Sequence, residues 1–347
     1  MGDVVGGRVR VSARIAILAL LWGSTFLWIK LALAMLAPVQ VTFARCVLGA
    51  AVLTIACLKA GQRLPRGFAV WRAVFVAAFF CNALPFALIS IGERSIDSGV
   101  AGVLNATTPL WSLLIGIILG TQRALHPVRL TGLLLGFSGV LLIFAPWERA
   151  GHVGFGALEV VAAAVSYAVG FTYMGRALVG KGFPTIALSA AQLLAATVLT
   201  AFTLPAGGLT PIHLQAKGLL ATAVLGIFAT GITFHLTYRI IAAEGATHAA
   251  TVGYLLPVVS VALGAVVLGE AFSLRIAAGM AVVLAGVGLS RRTLTGRTDA
   301  DDNEDDPALE RRDPVPGHRR RVTGGRAAAR LVDGRPPMDR CSRGSEC

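Results

Sequence analysis

The chain has 347 residues, of which 55% are hydrophobic and only 14% are charged, and its 31 Lys and Arg residues outnumber its 18 Asp and Glu residues. Soluble domains carry roughly 25% charged residues, so this composition argues against an ordinary soluble protein. No basic patch is interleaved with aromatic residues, and the high pI therefore does not indicate nucleic-acid binding.

Apolar segments recur along the chain, each close to the length of about 20 residues that one membrane crossing needs. Helices are expected, because lipid offers no partner to an unpaired backbone group. The sequence therefore predicts an all-α integral membrane protein with ten transmembrane helices. These are expected at residues 12–34, 38–58, 69–91, 97–119, 129–146, 155–176, 185–206, 217–239, 246–268 and 274–290.

The ten segments form two matching sets of five. When the fourth and fifth segments are aligned with the ninth and tenth, Pro109 meets Pro257 and Gly139 meets Gly286. Because five is an odd number of crossings, the two copies are expected to have opposite orientations in the membrane. The sequence thus predicts two inverted five-helix repeats, an arrangement typical of secondary transporters.

The repeats divide the chain into four predicted parts. Residues 1–11 form a cytoplasmic N-terminus, 12–146 the first repeat, and 155–290 the second repeat. Residues 291–347 form a disordered cytoplasmic tail, since an acidic cluster and an Arg-, Pro- and Gly-rich stretch leave few apolar residues for a core. The start of the chain also fits a cleaved signal peptide. However, its pattern recurs in the sixth segment, where Tyr167 aligns with Trp22, and this favours a retained first helix.

Lys and Arg residues near the segment ends lie mostly on one side of the predicted bilayer. The poorer side has only Arg94, Arg149, Lys217 and Arg275. Because cytoplasmic loops carry the excess of positive charge, the richer side is expected to be cytoplasmic. The sequence therefore predicts a multi-pass protein of the cell (cytoplasmic) membrane with both termini in the cytoplasm.

Several short motifs, in this order and spacing, resemble the EamA repeat of the drug/metabolite transporter superfamily. They are Leu21-Trp22-Gly23-Ser24-Thr25-Phe26, Phe43-Ala44-Arg45, and Leu268-Gly269-Glu270 followed by Gly279. The resemblance covers about residues 12–290. It implies ten helices in two inverted repeats, cytoplasmic termini, and export of small metabolites. One departure is that Gly120-Thr121 stands in the first half where the second half has Gly269-Glu270.

Polar and aromatic side chains within the segments are candidates for a transport site, which needs hydrogen-bonding groups and shaped apolar walls. Hydrogen bonding between helices is the alternative explanation. The predicted substrate-binding residues are Trp22, Ser24, Arg45, Asn82, Asn105, Trp111, Tyr167 and Tyr254. Arg45 is expected either to face an anionic group or to bond backbone carbonyls, and Lys30 to reach the lipid headgroups. The predicted gating residues are Pro109 and Pro257, because proline frees a backbone carbonyl and kinks a helix.

These features together predict a permease that exports a small metabolite or drug-like compound by alternating access, and not an enzyme. The expected partners are a small-molecule substrate and the lipid bilayer, and no cofactor, metal or nucleic acid is expected. A homodimer is a further possibility that the sequence leaves open. Proton coupling has little support. Glu159 and Glu270 lie near the outer face, while His235 and His248 lie near the cytoplasmic ends of their segments.

Two other functions stay open at this point. A lipid-moving protein is compatible with the same architecture. A rhomboid-like intramembrane serine protease is suggested by Gly136-Phe137-Ser138-Gly139, with His235 or His248 as the base. However, the repeat aligns Ser138 with Ala285 between matched glycines, so helix packing explains this motif better.

Overall fold

The computed structural model describes residues 17–118, 127–144, 155–249, 256–271 and 273–301, and every regular element in these ranges is helical. The chain divides into two units, Met1–Asp299 and Ala300–Cys347. Most of the predicted tail, from residue 302 onward, lies outside the described residues. The structure thus confirms an all-α protein in the part that it describes.

Ten apolar helical segments occur in the described residues. Five of them are long and apolar enough to cross a membrane by length and composition: Pro38–Lys59, Phe68–Gly92, Ser98–Ile118, Phe155–Ala177 and Ala216–Ala242. The apolar parts of the other five are shorter, so the number of ten crossings stays a prediction. The helices are α1 Ile17–Leu33, α2 Pro38–Lys59, α3 Phe68–Gly92, α4 Ser98–Ile118, α5 Pro127–Phe144, α6 Phe155–Ala177, α7 Thr185–Ala201, α8 Ala216–Gly226 continuing through Ile227–Ile232 and Thr233–Ala249, α9 Leu256–Leu268 and α10 Leu274–Asp301.

Three helices contain a π-helical stretch in the described residues; the stretch in α9 is Gly264–Leu268, and those in α3 and α8 lie at matching places. In α3 this stretch is Phe79–Ala83, and in α8 it is Ile227–Ile232. A π-helical stretch disturbs the regular pattern of backbone hydrogen bonds, and hydroxyl groups take up carbonyls here. Ser166 donates to the Phe80 carbonyl at 2.8 Å, and Thr233 donates to the Phe228 carbonyl at 3.1 Å. Both irregularities are therefore satisfied inside the protein.

The helices pack in pairs that relate the two five-helix sets to each other. Helix α2 packs against α7, α4 against α9, α3 against α6, and α1 against α8. If each helix is replaced by its equivalent in the other set (α1 by α6, α2 by α7, and so on), the α2–α7 and α4–α9 pairs are unchanged. The α3–α6 pair becomes the α8–α1 pair. The core of the protein thus lies between the two sets, and equivalent helices make equivalent contacts.

Helices α5 and α10 meet through the glycines that the sequence alignment matched. A Cβ atom added at Gly139 would lie 2.7 Å from the Val283 nitrogen and 2.8 Å from the Gly279 carbonyl oxygen. A Cβ atom added at Gly286 would lie 2.6 Å from the Gly132 carbonyl oxygen. Since no side chain fits at these separations, glycine is required for the helices to approach this closely. The contact is also reciprocal, as a two-fold relation between the halves requires.

Candidate functional site

An aromatic cluster joins the first helix of each half. The ring of Trp22 on α1 meets the ring of Tyr167 on α6 edge to face at 6.5 Å, and it meets Phe171 at 5.8 Å. Tyr167 and Phe171 stack on each other at 5.6 Å. We call Trp22, Tyr167 and Phe171 the aromatic crossing. The sequence alignment had placed Trp22 and Tyr167 at equivalent positions, and the structure brings these two residues together.

Two polar contacts between the halves are also equivalent to each other. Arg45 and Gln192 each stand seven residues after the first residue of α2 and α7. Arg45 Nε donates to Thr230 Oγ1 at 3.0 Å. Gln192 Nε2 donates to Asn82 Oδ1 at 2.7 Å. Each second helix therefore bonds to the third helix of the opposite half, and we call these two contacts the polar crossing.

Both acceptors of the polar crossing lie in the π-helical stretches. Asn82 and Thr230 are each the fourth residue of their stretch. Residues on a π-helical turn point in different directions from those on a regular α-helix, and such turns are frequent at functional sites. The matching irregularities thus turn one polar side chain from each third helix toward the opposite half.

Arg45 is buried, with 1% of its surface exposed. Its guanidinium carbon lies 3.6 Å from the centre of the Phe86 ring, which stabilises the cation through the negative face of the ring. Phe86 in turn meets Phe234, its equivalent in the second half, edge to face at 6.0 Å. The predicted anion-binding group is thus held rigidly between the halves, and its Nε bonds a side chain.

Several buried polar atoms near these helices have no hydrogen-bond partner. They include Arg45 Nη1, Asn82 Nδ2 and Asn105 Oδ1. Leaving such an atom without a partner costs about 1–3 kcal/mol, so buried polar groups are normally paired with protein or water. Of these three atoms, two are donors and one is an acceptor, and each is available to a ligand or to water.

The remaining predicted site residues are placed elsewhere or have local partners. Ser24 donates to the carbonyl of Leu21 at 3.0 Å, at the point where α1 is interrupted. Trp111 donates to Thr107 at 3.1 Å and packs edge to face on Phe137 of α5 at 4.8 Å. These contacts do not include the aromatic crossing. Tyr254 lies outside the described residues.

Of the two predicted gating prolines, Pro109 stands at a helix start. Pro109 is in the first turn of Thr108–Ile118, just after α4 is interrupted at Ala106 and Thr107. Proline is tolerated there because the first residues of a helix lack intrahelical partners in any case. Pro257 is the second residue of α9, and residues 250–255 before it are outside the described part of the chain. A gating role for these residues stays a prediction.

Charged residues at one end of the protein have partners that the sequence did not reveal. Lys30 was expected to reach the lipid headgroups, but its ammonium donates to the carbonyls of Glu93 and Ile96 at 2.6 and 2.7 Å. Glu270 accepts hydrogen bonds from Ser98 N at 2.8 Å and from Ser98 Oγ and Gly99 N at 3.0 Å. The acid of the Gly269-Glu270 motif thus caps the first turn of α4, where a carboxylate is favoured by the helix dipole.

Two functional candidates were missed from the sequence. Phe171 completes the aromatic crossing, but one aromatic residue among many apolar ones gives no signal by itself. Glu93 is buried at the end of α3, and both of its carboxylate oxygens lack a hydrogen-bond partner. Its position directly after an apolar segment, beside Gly92, was the available signal.

The structure gives the protease motif a packing explanation. The hydroxyl of Ser138 is exposed and donates to the carbonyl of Leu135 in its own helix at 2.7 Å. A Cβ atom on either flanking residue, Gly136 or Gly139, would collide with neighbouring atoms. The glycines of this motif are therefore required by close packing rather than by a catalytic serine.

Comparisons with known proteins agree with this architecture. The model of the EamA-like transporter family matches twice, at residues 13–145 and 154–292. An uncharacterized transporter of Archaeoglobus fulgidus is 26% identical over 282 residues, which cover 79% of this chain and 95% of that protein. The uncharacterized inner membrane transporter YedA of Escherichia coli strain K12 is 24% identical over 257 residues, covering 74% of this chain and 82% of YedA.

A solved crystal structure has the same fold. Its TM-score is 0.60 at 23% sequence identity, and the match covers 84% of this chain and 99% of the other. At this level of identity the likeness shows the fold alone. The two family matches together span most of the sequence, which makes this a multi-pass membrane protein of a transporter family. The chain belongs to the EamA-like transporter family.

Proposed function

We propose that this protein exports a small metabolite or drug-like compound across the cytoplasmic membrane by alternating access. The observation that carries the proposal is the reciprocal set of contacts between the halves: the aromatic crossing, and the polar crossing from Arg45 to Thr230 and from Gln192 to Asn82. Equivalent contacts made by both halves lie about a common axis. Rocking of two repeats about such an axis exposes a central site to each side in turn.

The chemistry of the crossing residues indicates the kind of substrate. Arg45 offers a buried positive charge and an unpartnered Nη1 donor, and Asn82 offers an unpartnered Nδ2 donor. Trp22 and Tyr167 provide apolar walls. We infer a small compound with an anionic or hydrogen-bond-accepting group and an apolar part, since a buried donor gains most from a partner that bears charge.

The topology predicted from the sequence is part of this proposal. All ten helices cross the membrane, the two repeats are inverted, and both termini lie in the cytoplasm. The distribution of Lys and Arg supports this orientation. Shorter crossings such as α7 and α9 are compatible with a membrane protein, because helix packing and local thinning of the bilayer accommodate them.

Profiling of released metabolites tests the proposal even while the substrate is unidentified. The protein is overproduced in wild-type form and as the double variant Trp22→Ala plus Tyr167→Ala, and metabolites in the medium are compared. The matched control is Phe68→Ala plus Phe155→Ala. It removes two aromatic rings that are 84% and 78% exposed and lie outside the crossing.

The expected result is a small set of compounds enriched outside cells that make the wild-type or control protein, and lost with the crossing variant. Immunodetection in the membrane fraction confirms equal amounts of each protein. If the same metabolites, in the same amounts, were found outside wild-type and crossing-variant cells, export through this site would be contradicted. Altered lipid distribution between the leaflets in the same cells would favour lipid movement instead.

A further inference from the structure

Glu93 is a carboxyl group that takes no part in the aromatic crossing or the polar crossing. It directly follows α3, has 0% of its surface exposed, and neither carboxylate oxygen has a hydrogen-bond partner. A buried ionised carboxylate is costly unless it is paired and hydrogen-bonded, and such a group takes up a proton instead. The geometry of Glu93 therefore favours the neutral acid.

Charged groups on three neighbouring elements act on Glu93, but their hydrogen bonds go elsewhere. Lys30 on α1, Arg45 on α2 and Glu270 between α9 and α10 interact with it electrostatically. Lys30 donates to the Glu93 and Ile96 carbonyls rather than to the Glu93 carboxylate. Arg45 bonds Thr230.

The second nearby acid is in the opposite situation. Glu270 is fully provided with donors by Ser98 and Gly99 at the start of α4. Glu159, on α6, is only partly buried and interacts with Arg94. Among these three carboxylates, Glu93 alone is both fully buried and without donors, and two of its positive neighbours are engaged by other groups.

Contacts between several helices close this end of the protein around Glu93. Lys30 ties α1 to the turn between α3 and α4, and Glu270 ties the turn between α9 and α10 to α4. Helix α3 meets α6 through Gly92, where an added Cβ would lie 2.9 Å from a Val160 methyl group. Separation of these helices would admit water to Glu93 and allow its carboxylate to be hydrated.

We propose that Glu93 is a proton-binding site that is loaded when this end of the transporter closes. On closure the Glu93 carboxylate takes one proton from water on that side and becomes a neutral carboxyl group. On opening it returns the proton to the same water. This inference rests on the proposed alternating access, in which this end opens and closes. As the pH on that side rises, the ratio of closed to open protein should fall by up to about tenfold per pH unit, which is the limit for one proton.

Infrared spectroscopy tests the protonation directly and needs no substrate. Full-length protein in lipid nanodiscs at neutral pH is compared with Glu93→Gln and with the control Glu159→Gln. We expect a carbonyl-stretch band of a protonated carboxyl group in the wild type and the control, shifted in heavy water, and absent from Glu93→Gln. An unchanged band in Glu93→Gln, or no such band in the wild type, would overturn the proposal.

Accessibility measurements test the link to opening. A cysteine replaces Ala101, which is 0% exposed and lies within the first turns of α4, in a background where the five native cysteines are alanine. The rate of labelling by a membrane-impermeant maleimide is measured against pH in proteoliposomes. The same cysteine is measured with Glu93→Gln, and the ratio of the two rates cancels the pH dependence of the thiol itself.

We expect the labelling rate relative to Glu93→Gln to rise with pH, by up to about tenfold per unit, and to do the same in the Glu159→Gln control. A ratio independent of pH would overturn the role of Glu93. Labelling of neither protein at any pH would show that this end does not open, which contradicts the closure step itself. Metabolite release stays a separate readout, so export with no Glu93 effect refutes this inference and leaves the proposed function standing.

Discussion

At the scale of single residues, the two halves use equivalent positions with different chemistry. Arg45 and Gln192 stand at matching places and each donates to the opposite π-helical stretch, yet only Arg45 carries a charge. Their acceptors, Thr230 and Asn82, also stand at matching places and differ in chemistry, since one is a hydroxyl and the other an amide. A duplicated framework thus holds an asymmetric pair of side chains, and this asymmetry gives the centre of the protein a positive charge.

Replacing Arg45 by glutamine, the residue at the equivalent position of the other half, removes its charge but keeps a hydrogen-bond donor. We expect Arg45→Gln to keep a donor for Thr230 and to leave the protein folded. Export of anionic compounds should fall roughly tenfold to hundredfold, because a hydrogen bond to a charged group contributes about 1.5–3 kcal/mol. Metabolite release relative to Arg66→Gln, an exposed arginine, measures this. Unchanged release of anions would show that Arg45 serves packing only.

Sequence reasoning placed some site residues and missed others for a definable reason. Trp22 and Tyr167 were found because the repeat aligns them, and a two-fold relation brings equivalent residues together. Phe171 and Glu93 were missed because their importance depends on neighbours from distant parts of the chain. The partners of Lys30 show the same limit, since a side chain that reaches two carbonyls in the turn between α3 and α4 cannot be told from any other lysine near a membrane surface.

At the scale of helices, one pair of irregular stretches is duplicated together with the regular ones. The π-helical stretches of α3 and α8 match each other. Hydropathy does not predict such a stretch, because the hydropathy of an apolar segment does not depend on whether one of its helical turns contains an extra residue. The glycine match between α5 and α10 was predictable, since only glycine permits such close backbone contact.

The contact between α5 and α10 provides a stability test. We expect Gly139→Ala to lower the free energy of unfolding by about 1–3 kcal/mol, because the added methyl group would overlap backbone atoms of α10 that cannot move independently. Thermal unfolding of the purified protein in detergent measures the change. The control is Gly288→Ala on α10, where an added Cβ meets nothing within 4 Å. Equal stability of the two variants would refute the proposed close packing.

At the scale of the whole molecule, the duplication was the feature that the sequence carried most clearly. Ten apolar segments with matched Pro and Gly residues predicted an all-α membrane protein with two repeats. The two family matches and the reciprocal packing of equivalent helices agree with the duplication. The number and direction of the crossings are not fixed by packing, because contacts between helices do not specify which helix end faces which side of the membrane. They depend on charge distribution and stay predictions.

The central claim is that the crossing between the halves is exposed to each side of the membrane in turn. Labelling of a cysteine at position 167, in the cysteine-free background, tests it most directly. A membrane-impermeant maleimide is applied in turn to each face of oriented vesicles. The account predicts labelling from both faces. Labelling from one face alone, or from neither, would contradict alternating access through this site.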